Sequence, residues 1–316
     1  MNWGLGLSLL KDVAGRSLSS GGIVPILRED GQSGVVYKEL FGVILSIAHW
    51  NAMFILGLRS VVLPLAAASA ADITTVLIAH PAVRKINFTG STQVGKIIAS
   101  TAGKYIKPVL LELGGKASAP VQSAAKSACP PSASSSNDQS FASSATTSAR
   151  PWPPTTPNPE PVLVNSPLVN KNTDLVTNAV SKGAIVAIGD INRVPEGTHM
   201  RPVVLENVTP AMDIYQTESF GPIVSLFVVD TKEEAIQLAN DTEYGLSAAV
   251  YTENLGRGLR VARQLESGAV HINSMTVHDK PNLPHGGVKC SGFGRFGGPT
   301  GLDEFLTTKS VTWMDV

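Results

Sequence analysis

The chain has 316 residues, enough for two domains or one large α/β unit, and its 25 acidic and 25 basic side chains cancel to no formal net charge. That balance, with no basic stripe, argues against a nucleic-acid or anionic-membrane partner. Its two cysteines, Cys129 and Cys290, belong to no CxxC pair, which argues against a disulfide framework or a zinc site.

The opening MNWGLGLSLLKD lacks the positive start and cleavage site of a secretory signal. The apolar stretch 41–71 is interrupted by His49, Asn51, Arg59 and Pro64, so it is too broken to span a membrane. A soluble, cytoplasmic protein is expected. Residues 22–40 read as two short strands about a turn at Glu29-Asp30-Gly31. VILSI at 43–47 has the β-branched character of a buried parallel strand, and it runs into His49-Trp50-Asn51. Phe54, Leu58, Val61, Val62 and Leu65 then recur at helical spacing. A further helix is expected from an N-cap at Asp72 to His80, ahead of Pro81. VRKINF is a strand, QVGKIIASTAGK a helix and VLLEL another strand. This alternation predicts an α/β fold with a doubly wound parallel sheet, whose ligands bind at the carboxyl ends of the strands.

From Gln122 to Glu160 there is no Leu, Ile, Val, Met or Tyr, and Ser, Ala, Pro and Thr dominate. Such a segment buries too little apolar surface to offset its ordering entropy, so a disordered linker is expected. Beyond it, Leu175–Lys182 reads as a helix, and GAIVAIG, RPVVLENV and GPIVSLFVV read as strands. Lys232–Asn240 is an amphipathic helix, LSAAVYT a strand, Leu255–Ser267 a helix capped by Gly268, and AVHIN a strand. A Gly-rich loop, PHGGVKCSGFGRFGG, follows, and TTKSVTW is a final strand. The implied domains are 1–121 with an assembly hairpin at 22–40, the low-complexity segment 122–160, a second α/β domain at 161–292, and a tail at 293–316.

Three groups invite chemical readings. The turn Gly90-Ser91 with Gly95 lies between a strand and a helix, where N–H groups and the helix dipole suit a pyrophosphate; many helices begin with such a turn for capping alone. Glu112 stands in an apolar strand with Val109, Leu110, Leu111 and Leu113. Burial would make it a general base near neutral pH, or it is a strand-end acid satisfied by Lys116 or backbone N–H groups. Asn51 could donate to a developing oxyanion or serve as a helix N-cap. Glu218 could hold a ribose hydroxyl or be a loop acid. The six histidines show no metal-ligand spacing.

The ordered stretches INFTGSTQVG, LELGGK, ESFGPIVSLF, HGGVKCSGFGRF and KSVTW together resemble the aldehyde dehydrogenase superfamily. GVILSIAHWNA is similar to that family's strand ending in Pro-Trp-Asn, and AVHINSMTVHDKPNLPHGGVK looks most like the subgroup of salicylaldehyde and vanillin dehydrogenases. The resemblance implies a Rossmann-type domain, a second catalytic α/β domain and a small oligomerisation sheet. It implies oxidation of an aldehyde to the acid through a cysteine thiohemiacetal, with NAD or NADP as cofactor and a homo-oligomeric assembly. By the same resemblance Asn51 steadies the oxyanion and Glu112 activates water. Trp50, Gly90, Ser91, Gly95, Leu113, Gly114, Glu218 and Phe220 match cofactor-contacting positions.

The chain departs from that pattern at several places. Where the family carries its Gly-Gln-x-Cys nucleophile, this chain reads ASSATTSAR at 142–150, and neither Cys129 nor Cys290 stands in the motif. A lysine-bearing strand and the helix after it are absent near Ala66–Ala71. His49 replaces a proline. The segment 122–160 is therefore open to two readings, a real linker or coding text out of frame.

Overall fold

The computed structural model describes residues 22–25, 32–48, 70–121, 140–144, 161–190, 197–276, 280 and 282–314. His49, Trp50, Asn51, the expected helix from Phe54 to Leu65, the turn at Glu29-Asp30-Gly31 and Cys129 lie outside the described residues. The chain divides into two compact units. One comprises Met1–Leu113, Asp279–Gly287 and Gly292–Val316; the other comprises Gly114–His278 and Val288–Ser291. The first division thus falls between Leu113 and Gly114, earlier than the expected boundary after Val121, because Val121 bridges Tyr251 in the second unit.

In the first unit, β2 (Val43–Ile47), β3 (Val83–Thr89) and β4 (Val109–Glu112) are parallel, and β11 (Gly292–Phe293) adds to β4 antiparallel. The sheet order is β11-β4-β3-β2, so β2 is an edge among the described strands. The β-branched, near-continuously buried β3 is what a parallel strand covered on both faces requires. Two helices, α1 (Ala70–Ala79) and α2 (Thr92–Lys104), pack Ile78, Ile98 and Ala102 against Ile86, Phe88, Leu111 and Leu113. Asp72 lies inside α1 and is not its N-cap, because the helix extends back through the Ala-rich junction. Lys85, buried on β3, is paired with Glu304 at 2.9 Å and lies 5.0 and 5.7 Å from the rings of Phe41 and Phe305, which compensates its desolvation. The ribbon of β1 (Gln32–Leu40) and β12 (Leu306–Met314) is antiparallel, with Tyr37 opposite Lys309, and Ile23 adds a bridge to Val36.

The second unit holds the sheet β5-β8-β7-β6, formed by Ser140–Ser144, Ile223–Phe227, Val203–Glu206 and Ile185–Ile188. Here β6 runs antiparallel to β7, so neither four-stranded sheet is purely parallel. The strand β5 corrects the expectation that 122–160 is without structure. It pairs with β8 from Ser140↔Ile223 to Ser144↔Phe227, and an edge strand needs only backbone partners to be ordered. Helix α3 (Ser166–Ser181) starts nine residues before the expected Leu175 because Asn165 caps it, accepting from Leu168 N–H at 2.9 Å, with a proline in the first turn. It packs Leu175, Val176 and Ala179 onto Val203, Leu205 and Ile223; the short helix α4 (Asp213–Gln216) adds Ile214. Helix α5 (Lys232–Asn240) has the expected bounds and opens with a Thr231–Glu234 capping box. The parallel pair β9 (Ser247–Val250) and β10 (Ala269–Ile272) carries α6 (Leu255–Ala262). That helix ends five residues before the expected Ser267, since its last turn tightens into Gln264→Val261 and Leu265→Ala262 bonds. Gly268 is no cap; its N–H donates to Gly245. The short helix α7 (Gly298–Asp303) returns the chain to β12.

Two glycines give opposite expectations. Gly292 sits at φ +106, and a Cβ there would lie 2.0 Å from the Leu111 carbonyl oxygen. Gly292→Ala should therefore lower stability by about 3 kcal/mol. Gly103 has open space around it, so Gly103→Ala in α2 should raise stability by about 0.5 kcal/mol. Urea midpoints of the two variants check both signs.

Candidate active site

The first unit brings Glu112 to the end of β4, beside Thr89 in parallel register and opposite Gly292 in antiparallel register. Its side chain is only 12% exposed. Glu112 Oε1 meets His285 Nε2 at 2.9 Å, and Thr89 Oγ1 donates to Oε2 at 3.4 Å. Lys116 is not its partner, because the lysine amine is spent on two carbonyl oxygens described below. His285, whose side chain is 17% exposed, is the Glu112 neighbour that sequence reading missed. It stands 173 residues away, and only the register of β11 on β4 brings it close.

The loop bearing His285 is firmly built. His285 and Phe296 exchange backbone hydrogen bonds of 2.7 Å in both directions. Arg295 Nη1 donates to the Gly287 and Gly294 carbonyls at 2.9 and 2.7 Å, and its backbone N–H donates to Glu304 Oε1 at 3.1 Å.

The Gly90–Ser91 turn also lies in this unit, at the carboxyl end of β3. Gly90 N–H donates to the Glu112 carbonyl at 3.0 Å. Ser91 is exposed and caps α2, accepting from Val94 N–H. Gly95 is placed for packing: a Cβ there would lie 2.4 Å from a Leu113 methyl carbon, so the glycine lets α2 approach β4.

The second unit holds the other matched positions. Gly115 N–H donates to Glu218 Oε1 at 2.8 Å, and Lys171 Nζ donates to the Glu218 carbonyl at 2.7 Å. Lys116 Nζ donates to Ile214 O at 2.7 Å and Thr217 O at 3.2 Å, tying down the approach to Glu218. Ser291 Oγ donates to the Gly114 carbonyl at 2.5 Å and accepts from Gly245 N–H at 2.9 Å. Phe220, two residues after this acid, takes a left-handed backbone at φ +53, which costs energy in a non-glycine residue. Burial lowers the Lys116 amine to about 8, partly opposed by the nearby Glu218 charge. Burial pushes the Tyr244 hydroxyl up to about 12, with Glu218 and Glu243 adding to the effect. Among the described residues Cys290 is half-buried and in no disulfide, no cluster of three or more His, Cys, Asp or Glu could hold a metal, and no helix is long and apolar enough to cross a membrane.

A model of the aldehyde dehydrogenase family matches residues 67–129 and 153–311. A vanillin dehydrogenase of Pseudomonas fluorescens is 34% identical over 375 residues, covering 98% of this chain and 77% of the relative. That aligned span exceeds the 316 residues of the chain, so the relative has residues inside the matched region with no counterpart here. A benzaldehyde dehydrogenase (NAD(+)) of Pseudomonas putida is 32% identical over 271 residues, covering 78% of this chain and 55% of the relative. The crystal structure of a salicylaldehyde dehydrogenase from Pseudomonas putida G7, complexed with salicylaldehyde, is similar at a TM-score of 0.85 and 26% identity, over 99% of this chain and 78% of that one. The chain belongs to the aldehyde dehydrogenase family, an enzyme family of oxidoreductases.

Lys116 makes the site's electrostatics measurable. Below pH 8 its amine is charged in both folded and unfolded chains, and the fold bears the full cost of burying it. As pH rises from 8 toward the usual 10.5, the folded amine gives up its proton first and that cost is relieved. The gap corresponds to roughly 3 kcal/mol. Stability should therefore rise between pH 8 and 10 relative to a Lys116→Met variant, as read from paired urea titrations. Above pH 10 the raised tyrosines act in the opposite sense, because the unfolded chain then loses their protons first.

Proposed function

We propose that this chain carries the scaffold for NAD(P)-dependent oxidation of an aromatic aldehyde to the carboxylic acid, and that without a nucleophilic thiol it does not complete that reaction itself. The observation that carries the reading is Glu112, held half-buried at the end of β4 with a defined hydrogen-bond partner, while 142–150 contains no cysteine. The vanillin, benzaldehyde and salicylaldehyde relatives support the aromatic substrate class.

Each unit by itself carries positions that suit part of a dinucleotide. The exposed Gly90–Ser91 turn opens a 13-residue helix whose N-terminal end favours phosphate, and Gly90 brings no side chain into the way. Glu218 would hold a ribose hydroxyl while Oε1 keeps its bond to Gly115. Trp50, Leu113, Gly114 and Phe220 complete the cofactor set by family match. The nicotinamide supplies the acceptor for hydride when bound. Asn51 would donate its amide N–H to the oxyanion formed as a thiolate adds to the carbonyl carbon. Glu112 would take a proton from water as that water attacks the resulting thioester. In this chain the thiolate is what is missing, so the water at Glu112 has no ester to attack.

Purified chain given salicylaldehyde or benzaldehyde with NAD⁺ should form no NADH above a Cys129→Ser, Cys290→Ser double variant; turnover beyond that variant would refute the proposal. A second reading, coding text out of frame over 122–160, is favoured by the family match breaking off at 129 and resuming at 153. Sequencing the transcript decides it: a Gly-Gln-x-Cys in another frame supports that reading and restores the full activity.

Association is part of the same proposal. The β1–β12 ribbon leaves Tyr37, Val311, Trp313 and Met314 exposed, and a two-stranded ribbon is marginal in water on its own. Light-scattering chromatography should give a mass above 33.1 kDa, the value for one chain. A clean monomer would count against a homo-oligomer built through this ribbon.

A further inference from the structure

The second unit spends three side chains on three consecutive carbonyls. Lys116 Nζ donates to Thr217 O at 3.2 Å, Lys171 Nζ to Glu218 O at 2.7 Å, and Asn172 Nδ2 to Ser219 O at 3.0 Å. Two of these donors are lysines on long, flexible stems, and Lys171 is exposed. Asn172 is different. It is fully buried inside α3, and its short side chain is pinned a second time, with Nδ2 donating to the Leu168 carbonyl one turn back at 2.8 Å. A Cβ at Gly221 would lie 2.4 Å from Asn172 Oδ1, so the amide fills the room that this glycine leaves.

Stability does not account for an amide at this position. Asn172 Oδ1 and Ser219 Oγ, both buried, meet no hydrogen-bond partner among the described residues. A buried acceptor left unpaired costs folding energy, and asparagine is a poor residue for a helix interior, so an apolar side chain would suit α3 and its core better. What the amide secures is the backbone it touches. The Ser219 carbonyl belongs to the peptide plane that leads into Phe220, and the left-handed φ of +53 is a rotation against that plane. Holding the carbonyl opposes relaxation of the turn. Glu218 stands immediately before that plane, with its Oε1 accepting from Gly115 N–H at 2.8 Å.

We propose that Asn172 is the positioning residue for Glu218: by holding the Ser219 carbonyl it keeps the turn through Phe220 in its strained form and so keeps the Glu218 carboxylate on the Gly115 N–H. This role rests on the reading of Glu218 as the acid that holds a ribose hydroxyl. It needs neither thiol nor nucleotide, so it is testable in the full chain as it stands.

The experiment follows the Gly115 amide in nitrogen-15-labelled chain, by chemical shift and by hydrogen exchange. Glu218→Ala marks where that amide goes when its acceptor is lost. Asn172→Leu keeps the bulk and removes the donor; the Gly115 amide should move toward the Glu218→Ala position and exchange about tenfold faster. Leu175→Ala weakens the packing of the same helix with every donor intact, and should leave the Gly115 amide where it is. An amide that ignores Asn172→Leu, or that moves equally in Leu175→Ala, overturns the proposal, because a merely structural asparagine would act as any other lesion in α3. The unsubstituted chain gives a second readout that does not depend on a variant folding. The Asn172 side-chain amide protons, assigned through the residue's own backbone, should exchange slowly; exchange as fast as that of exposed asparagines overturns the proposal. None of these spectra contains nucleotide. A chain that passes them yet fails to bind NAD⁺ would count against the ribose reading of Glu218 and leave the role of Asn172 supported.

Discussion

The geometry of this protein turns on one carboxylate placed at the end of an apolar strand. Leu110 and Leu111 are buried on β4, and an acid continuing that strand must be paired or lose the strand's stability. The pairing is achieved across 173 residues of sequence, by returning the chain so that Gly292 and Phe293 lie antiparallel to Glu112 and Leu111. Gly292 in a left-handed backbone, the His285–Phe296 bridge and the Arg295 clamp all follow from that return. The site and the C-terminal fold of the first unit are thus one constraint.

A separate set of bonds serves the second unit. Gly115 is bound to Glu218, Lys116 to the carbonyls of Ile214 and Thr217, and Gly114 to Ser291. A buried ammonium aimed at two carbonyls is costly, as its lowered proton affinity indicates, yet it fixes the loop that carries Glu218. The LELGGK stretch therefore serves both units, with Glu112 on one side of the division and Gly115 and Lys116 on the other.

Much of this was legible in the sequence. The strands VILSI, VRKINF and VLLE announce themselves by β-branched apolar runs, and α5 by its amphipathic pattern. What was not legible was decided by tertiary partners. Antiparallel β6 has the same composition as a parallel strand, and β5 is a Ser-rich segment ordered by the backbone of β8. The early start of α3 depended on reading Asn165 as a cap ahead of a proline. Within the site, Glu112 and the Ser91-capped helix stood out locally. His285 did not, because a histidine before two glycines has no local signature and meets Glu112 only through strand register. Gly95, matched to a cofactor position, is explained by its fit against Leu113.

The proposal to be tested is that this chain of the aldehyde dehydrogenase family keeps a base at Glu112 and a dinucleotide turn at Gly90–Ser91 but lacks the thiol that would carry the acyl group. Its most direct test is intact-protein mass spectrometry after incubation with salicylaldehyde and NAD⁺, with quenching in acid to preserve thioesters. The account predicts the unmodified mass. A gain equal to one salicyloyl group, mapped by peptide analysis to Cys129 or Cys290, would contradict it.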